Sequence, residues 1–254
     1  MGCGGCELWT GEDQHCYAAT LSRRYAGMKG WPRRFDRPEM FPGRLAKAAK
    51  WRDLKGQRRE MKPWLDGLKR VIFVGDMGDL FCSSIPFEYL RDEVLAPMVQ
   101  APGWTHLWLL LTKRLDALVR FQAWLKDEHS PWPGNAWTGV SVTGPSTLWR
   151  LDWLNKVYAP VRFLSLEPLL GPVSRLSVHW WHLDWVIVGC ESGDNRRSCD
   201  QGWVEDVVAT CRDGGVPVFV KQLAIGGEVV QDWTLFPPHL RIREMPTIAR
   251  VNVS

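Results

Sequence analysis

Arg70-Val-Ile-Phe-Val-Gly-Asp-Met-Gly-Asp79 is the stretch from which the fold is read. Four apolar, mostly β-branched residues run straight into a polar, glycine-rich turn. Runs of the same kind return at His106–Leu111, Ala136–Ser141, Val161–Leu166, Asp184–Val188 and Val216–Val220, with starts 23 to 36 residues apart. The segments between them, such as Phe87–Val99, Leu115–Leu125 and Trp203–Arg212, have helical character. Continuous apolar strands alternating with helices predict parallel βαβ units covered on both faces. Six of them predict an α/β fold built as a partial (β/α)6 TIM-like barrel.

Each run ends in polar or glycine-rich residues: Gly75-Asp76-Met77-Gly78-Asp79, Thr112-Lys113-Arg114, Ser141-Val142-Thr143-Gly144, Glu167-Pro168, Gly189-Cys190-Glu191-Ser192-Gly193 and Lys221-Gln222. In parallel β/α folds the carboxyl ends of the strands carry the chemistry. Taken singly, such residues read as helix caps and turn formers; six together read as a lined pocket. Carboxylates at Asp76, Asp79, Glu167 and Glu191 would meet an ammonium or ribose hydroxyls. Lys113, Arg114 and Lys221 would pair with a carboxylate. A pocket offering both signs suits a zwitterion carrying a sugar.

The amino-terminal run Gly2-Cys-Gly-Gly-Cys-Glu-Leu-Trp-Thr-Gly-Glu-Asp-Gln-His-Cys16 places Cys3, Cys6 and Cys16 on one short loop. Three thiolates can hold three corners of a four-iron cluster and leave one iron open. A tetrahedral zinc site completed by His15 is the alternative. The chain has seven cysteines, an odd number in a chain of 254 residues. That favours a reducing compartment and metal-binding or reactive thiols over disulfides. Cys190, at a strand end, reads as a reactive thiol, and Cys82, Cys199 and Cys211 as packing residues. No apolar run is long enough to span a membrane, and no secretory signal is expected.

The net charge of +4 conceals a basic block. Residues 23–70 hold 16 Lys/Arg against 5 Asp/Glu, an excess of +11, so the rest of the chain sums to −7. A concentrated basic block is the footprint of a phosphate-bearing partner, or else a solvated face. Among 16 tryptophans, Trp31, Trp51 and Trp64 interleave with these charges as candidates for base stacking. The segment is expected to be helical over Tyr17–Tyr25 and Arg44–Arg59.

The cysteine loop ending Cys16-Tyr-Ala18, together with Ile72–Phe81, Leu111–Arg114, Trp137–Val142, Val161–Val173, Trp185–Gly193 and Val218–Gln222, resembles the phage-associated three-cysteine family of radical S-adenosylmethionine proteins, relatives of spore photoproduct lyase. The resemblance implies a barrel of that type over residues 1–225, with a basic helical insertion at about 23–70, and a carboxyl-terminal appendage at 226–254. It implies a [4Fe–4S] cluster on Cys3, Cys6 and Cys16, with S-adenosyl-L-methionine on the open iron and a 5′-deoxyadenosyl radical as the reactive species. By position, Gly75, Asp76, Met77, Gly78 and Asp79 would receive the cofactor's amino group. Lys113, Ser141 and Thr143 would face its carboxylate or ribose, and Val188 and Gly189 its adenine. Glu167, Glu191, Cys190, Lys221 and Gln222 would face substrate.

The implied substrate is a modified thymine or other nucleobase in DNA, rearranged in an isomerase-like hypermodification. The implied setting is the cytoplasm of a phage-infected bacterium, with a flavodoxin- or ferredoxin-type electron donor. A photoproduct-lyase-like repair enzyme is the nearest enzymatic alternative. A zinc-stabilised nucleic-acid-binding protein without catalysis, and an enzyme acting on a small molecule, are the others.

Overall fold

A computed structural model describes residues 1–9, 15–173, 182–193 and 195–247. Seven strands form one sheet in sequential order: β1 (Val71–Val74), β2 (Leu107–Thr112), β3 (Ala136–Ser141), β4 (Arg162–Leu166), β5 (Trp185–Gly189), β6 (Val218–Ile225) and β7 (Glu228–Val230). The first six are mutually parallel, and β7 returns antiparallel on β6. These six are the six apolar runs, displaced by at most a few residues at their ends.

Side-chain alternation divides the sheet into two faces. Trp108, Leu110, Val140, Leu164, Val186, Val188 and Val220 belong to the large core shared with the helices. Leu107, Leu109, Trp137, Phe163, Trp185 and Ile187 form a separate layer on the other face. Trp137, Phe163 and Phe219 each pack on Trp185 at centroid distances of 5.8–6.1 Å. On β3 this layer leaves no room at Gly139, where a Cβ would run into the Phe163 ring. The same alternation carries Phe73, Leu111, Ser141 and Lys221 to the carboxyl ends of their strands, where a cavity opens.

The helices are α1 (Tyr17–Arg24), α2 (Arg44–Ala49), α3 (Phe87–Tyr89), α4 (Ala96–Val99), α5 (Leu115–Asp127), α6 (Arg150–Leu154) and α7 (Gln201–Asp213). A π-helical turn, Leu90–Leu95, joins α3 to α4. Asp200 caps α7 by accepting the Gly202 N–H at 2.8 Å. Among the described residues, no helix is long and apolar enough to cross a membrane.

This architecture corrects the expected (β/α)6 TIM-like barrel. The sheet is mixed, curls into a half-barrel and ends at β1 and β7 without closing. Its helical cover is sparse: α6 has five residues, and the β4–β5 crossover holds no α-helix among its described residues. The cause lies at the edge of β6. Gly226-Gly227, both at positive φ, turn the chain back so that β7 pairs with Leu223–Ile225. Arg243 bridges Phe219, and Glu244 N–H bonds Val218 O at 3.0 Å. The position a further parallel strand would occupy is taken.

The helix expected over Arg44–Arg59 ends at Ala49. Beyond it, Gly56 adopts positive φ and the Arg59 guanidinium donates to the Leu54, Leu68 and Lys69 carbonyls. Tertiary hydrogen bonds there replace helical ones.

Candidate functional site

The main cavity, about 210 Å³, lies over the strand carboxyl ends. Cys3, Cys6 and Cys16 all line it, with Gly75, Asp76, Gly78 and Asp79 from the turn after β1. Lys113, Ser141, Glu167, Cys190, Glu191, Lys221 and Gln222 complete the expected residues found in its wall. Four others lie elsewhere. Met77 is buried against Ala18, Ala19 and Phe35. Thr143 is buried below the cysteine loop, and Val188 and Gly189 belong to the body of β5.

The cysteine loop reaches the cavity by pairing with the turn after β1. Gly2 N–H bonds Met77 O at 3.0 Å, Asp79 N–H bonds Gly2 O at 3.3 Å, and Cys3 N–H bonds Phe35 O at 2.8 Å. This approach requires glycine at 78, because a Cβ would overlap the Gly2 carbonyl. The opposite side of the loop is fastened by Glu7. Its carboxylate accepts two hydrogen bonds from Arg150, at 2.9 and 2.7 Å, and one from Thr143 Oγ1 at 3.2 Å. Lys113 Nζ stands 3.2 Å away. Burial alone would raise the Glu7 carboxyl, but the Arg150 hydrogen bonds and the charges of Lys113 and Arg150 hold it down to about 2. Sequence reasoning missed Glu7 and Arg150. A carboxylate one residue past Cys6 was the available signal for Glu7; nothing local marks Arg150.

All seven cysteines are free thiols. Arg114 Nη2 lies 3.7 Å from Cys3 Sγ, and Lys113 Nζ 3.5 Å from Cys6 Sγ. A cationic nitrogen thus stands beside each of these two sulfurs. A hydrogen bond with Cys82, then burial, nevertheless push the Cys3 thiol up, and burial raises Cys16. Cys82 is therefore the hydrogen-bond partner of a loop cysteine rather than packing alone. Cys199 is likewise hydrogen-bonded to Cys190, whereas Cys211 is a core residue. Among the described residues, no three His, Cys, Asp or Glu side chains converge closely enough to hold a metal ion in this arrangement. All three loop thiols nevertheless line one cavity, and Cys3 and Cys6 each have a cation beside them.

The acidic residues divide by partner. Asp79 accepts from Phe81 N at 3.0 Å, Thr112 Oγ1 at 2.8 Å and Lys113 N at 3.0 Å, tying β1 to β2. Glu191 accepts from Arg197 N and Nε at 2.8 and 2.9 Å, and His15 Nδ1 stands 4.0 Å away. Those Arg197 hydrogen bonds outweigh burial and lower its pKa, so Glu191 is an ionised anchor. Glu167 is ion-paired with Lys221, whose Nζ stands 3.0 Å from Oε1 and donates to Oε2 at 3.2 Å; Ser165 Oγ also donates to Oε2, at 3.4 Å. Tyr17, another residue missed, donates to Asp76 O at 2.5 Å from the cavity wall, and burial pushes its phenol up to about 12. Its place directly after Cys16 was the signal for it.

The three tryptophans of the basic block separate cleanly. Trp31 packs at a tilt on Tyr25, centroids 4.8 Å apart, and Trp64 is wedged among Phe219, Trp233 and Arg243. Trp51 is exposed, with the Arg70 guanidinium 5.8 Å from its ring.

A family model described as "Protein of unknown function (DUF5131)" matches residues 2–234. No curated protein and no solved structure matches the chain.

Proposed function

Given that the chain belongs to the DUF5131 family, we propose that it is a radical S-adenosylmethionine enzyme acting on a nucleobase in DNA. The observation carrying this reading is the meeting, in one cavity, of three reduced loop thiols with carboxylates and ammonium groups from the strand ends. Cys3, Cys6 and Cys16 would hold the cluster. When bound, cluster and cofactor supply a one-electron reductive cleavage that yields a carbon radical able to take hydrogen from substrate.

The protein's own groups bind and orient. The Gly75–Asp79 turn presents backbone and the Asp76 carboxylate to an ammonium. Lys113 and Ser141 offer a cation and a hydroxyl to a carboxylate or ribose. Glu167, ion-paired with Lys221 in the cavity wall, accepts a hydrogen bond from a base edge through its remaining lone pairs. The aromatic layer of Trp137, Phe163 and Trp185 closes the floor against water. A base would enter this cavity extruded from its stack. The reaction is a rearrangement of a modified thymine or, in the lyase variant, repair of a lesion. A small electron-transfer protein in the bacterial cytoplasm would supply the electron.

The test is anaerobic purification followed by incubation with S-adenosylmethionine and reductant. Brown protein that forms 5′-deoxyadenosine, and that loses its colour on Cys3→Ala, Cys6→Ala or Cys16→Ala, is expected. Colourless protein carrying one zinc would refute the radical reading in favour of a nucleic-acid-binding module.

A further inference from the structure

Behind Phe35 lies a second pocket, of about 340 Å³, lined by Trp9, Ala19, Ser22, Arg23, Ala26, Arg33, Arg34, Phe35 and Asp36. Phe35 also lines the main cavity, so one ring separates the two. We propose that this pocket binds the nucleotide next to the reacting one in a single DNA strand, its base against Trp9 and Phe35 and its phosphate on Arg33 and Arg34. The inference rests on the nucleic-acid reading above and extends it to the strand.

Three observations carry it. Trp9 and Phe35 meet edge to face, centroids 5.4 Å apart, giving the pocket the aromatic wall that a base stacks on. Among the described lining residues, three arginines stand against one aspartate. Arg34 forks onto Asp36 through Nε, at 2.9 Å, and Nη2; the pair is exposed, where a phosphate can compete. The Arg33 bond to Glu39, at 2.6 Å, comes from its main-chain N–H and not from the guanidinium. The third observation is Ser22. It is 2% exposed in the pocket wall, and its hydroxyl has no hydrogen-bond partner. Buried hydroxyls are nearly always bonded, so an orphan beside a cavity is a group kept for a ligand. A sugar oxygen or base edge would satisfy it. The volume is at the lower end of small-ligand sites, about 300–1,000 Å³.

Binding of a fluorescent single-stranded thymidine oligonucleotide, followed by anisotropy across a salt series, tests this. The readout needs neither reductant nor S-adenosylmethionine. Failed deoxyadenosine formation with the pocket effects intact would therefore count against the radical chemistry alone. Arg33→Ala/Arg34→Ala should weaken binding at least about tenfold and flatten the salt slope by about 0.7 per lost phosphate contact. Arg58→Ala/Lys62→Ala removes the same charge elsewhere in the basic block and should cost clearly less.

Ser22→Ala gives effects of opposite sign. Removing an unpaired buried hydroxyl holds or raises the melting temperature, yet it should weaken oligonucleotide binding several-fold. Equal losses in both charge pairs, or unchanged affinity in Ser22→Ala, would overturn the proposal.

Discussion

Replacing Glu7 by glutamine should release the cysteine loop while leaving the sheet intact. The magnitude comes from the ionisation of the carboxyl, held at about 2 in the folded protein against an ordinary 4.5. That difference is worth about 3 kcal/mol in favour of the attached, ionised loop. Glutamine keeps one acceptor but turns an NH2 group toward the buried Arg150 guanidinium, so most of this is lost.

The assay is hydrogen exchange at the Gly2 and Cys3 amides, whose bonds to Met77 O and Phe35 O break when the loop detaches. About 3 kcal/mol is roughly two decades of exchange rate at pH 7. Because the folded pKa is depressed, the stabilisation is complete above about pH 4.5 and drains as pH falls toward 2. At pH 3 roughly 1.4 kcal/mol should remain, so the gap between wild type and variant should shrink to about tenfold, and it should close as pH falls below 2. A difference below about threefold at pH 7, or one that does not shrink in acid, would refute the latch.

Gly78→Ala should unseat the same loop from the other side, since the new methyl meets the Gly2 carbonyl. Limited proteolysis should then trim the amino terminus while the circular dichroism of the sheet stays unchanged; an uncut terminus would count against the pairing. Gly139→Ala drives a methyl into the Phe163 ring and should cost about 1–3 kcal/mol in urea denaturation. Phe163→Leu in the same chain should restore part of that, and the absence of rescue would contradict the packing described.

The six parallel strands were legible because strands buried on both faces are written as continuous apolar runs, as in Trp108–Leu111 and Trp185–Val188. The way the sheet ends at β7 was not. It depends on Gly226-Gly227 and on Arg243, whose guanidinium lies over the Trp64 ring at 4.3 Å and bonds Val220, Lys221 and Gln231 carbonyls. No local pattern announces contacts that reach back so far along the chain. The cavity lining was readable for the same reason as the strands, since Asp76, Lys113, Ser141, Glu167 and Lys221 each stand at or just past the end of an apolar run. Thr143 and Glu191 show the limit of position alone: both sit at the expected strand ends, yet they are committed to Glu7 and Arg197. The helix reading failed at Lys50–Arg59, where a composition favourable to helix lost to a tertiary arginine bonding three carbonyls.

Trp64, a few residues before β1, packs against Phe219 on β6 and Trp233 just past β7. Side chains rather than a strand ladder therefore join the two ends of the sheet, and a joint of that kind can loosen without breaking any main-chain hydrogen bond between strands.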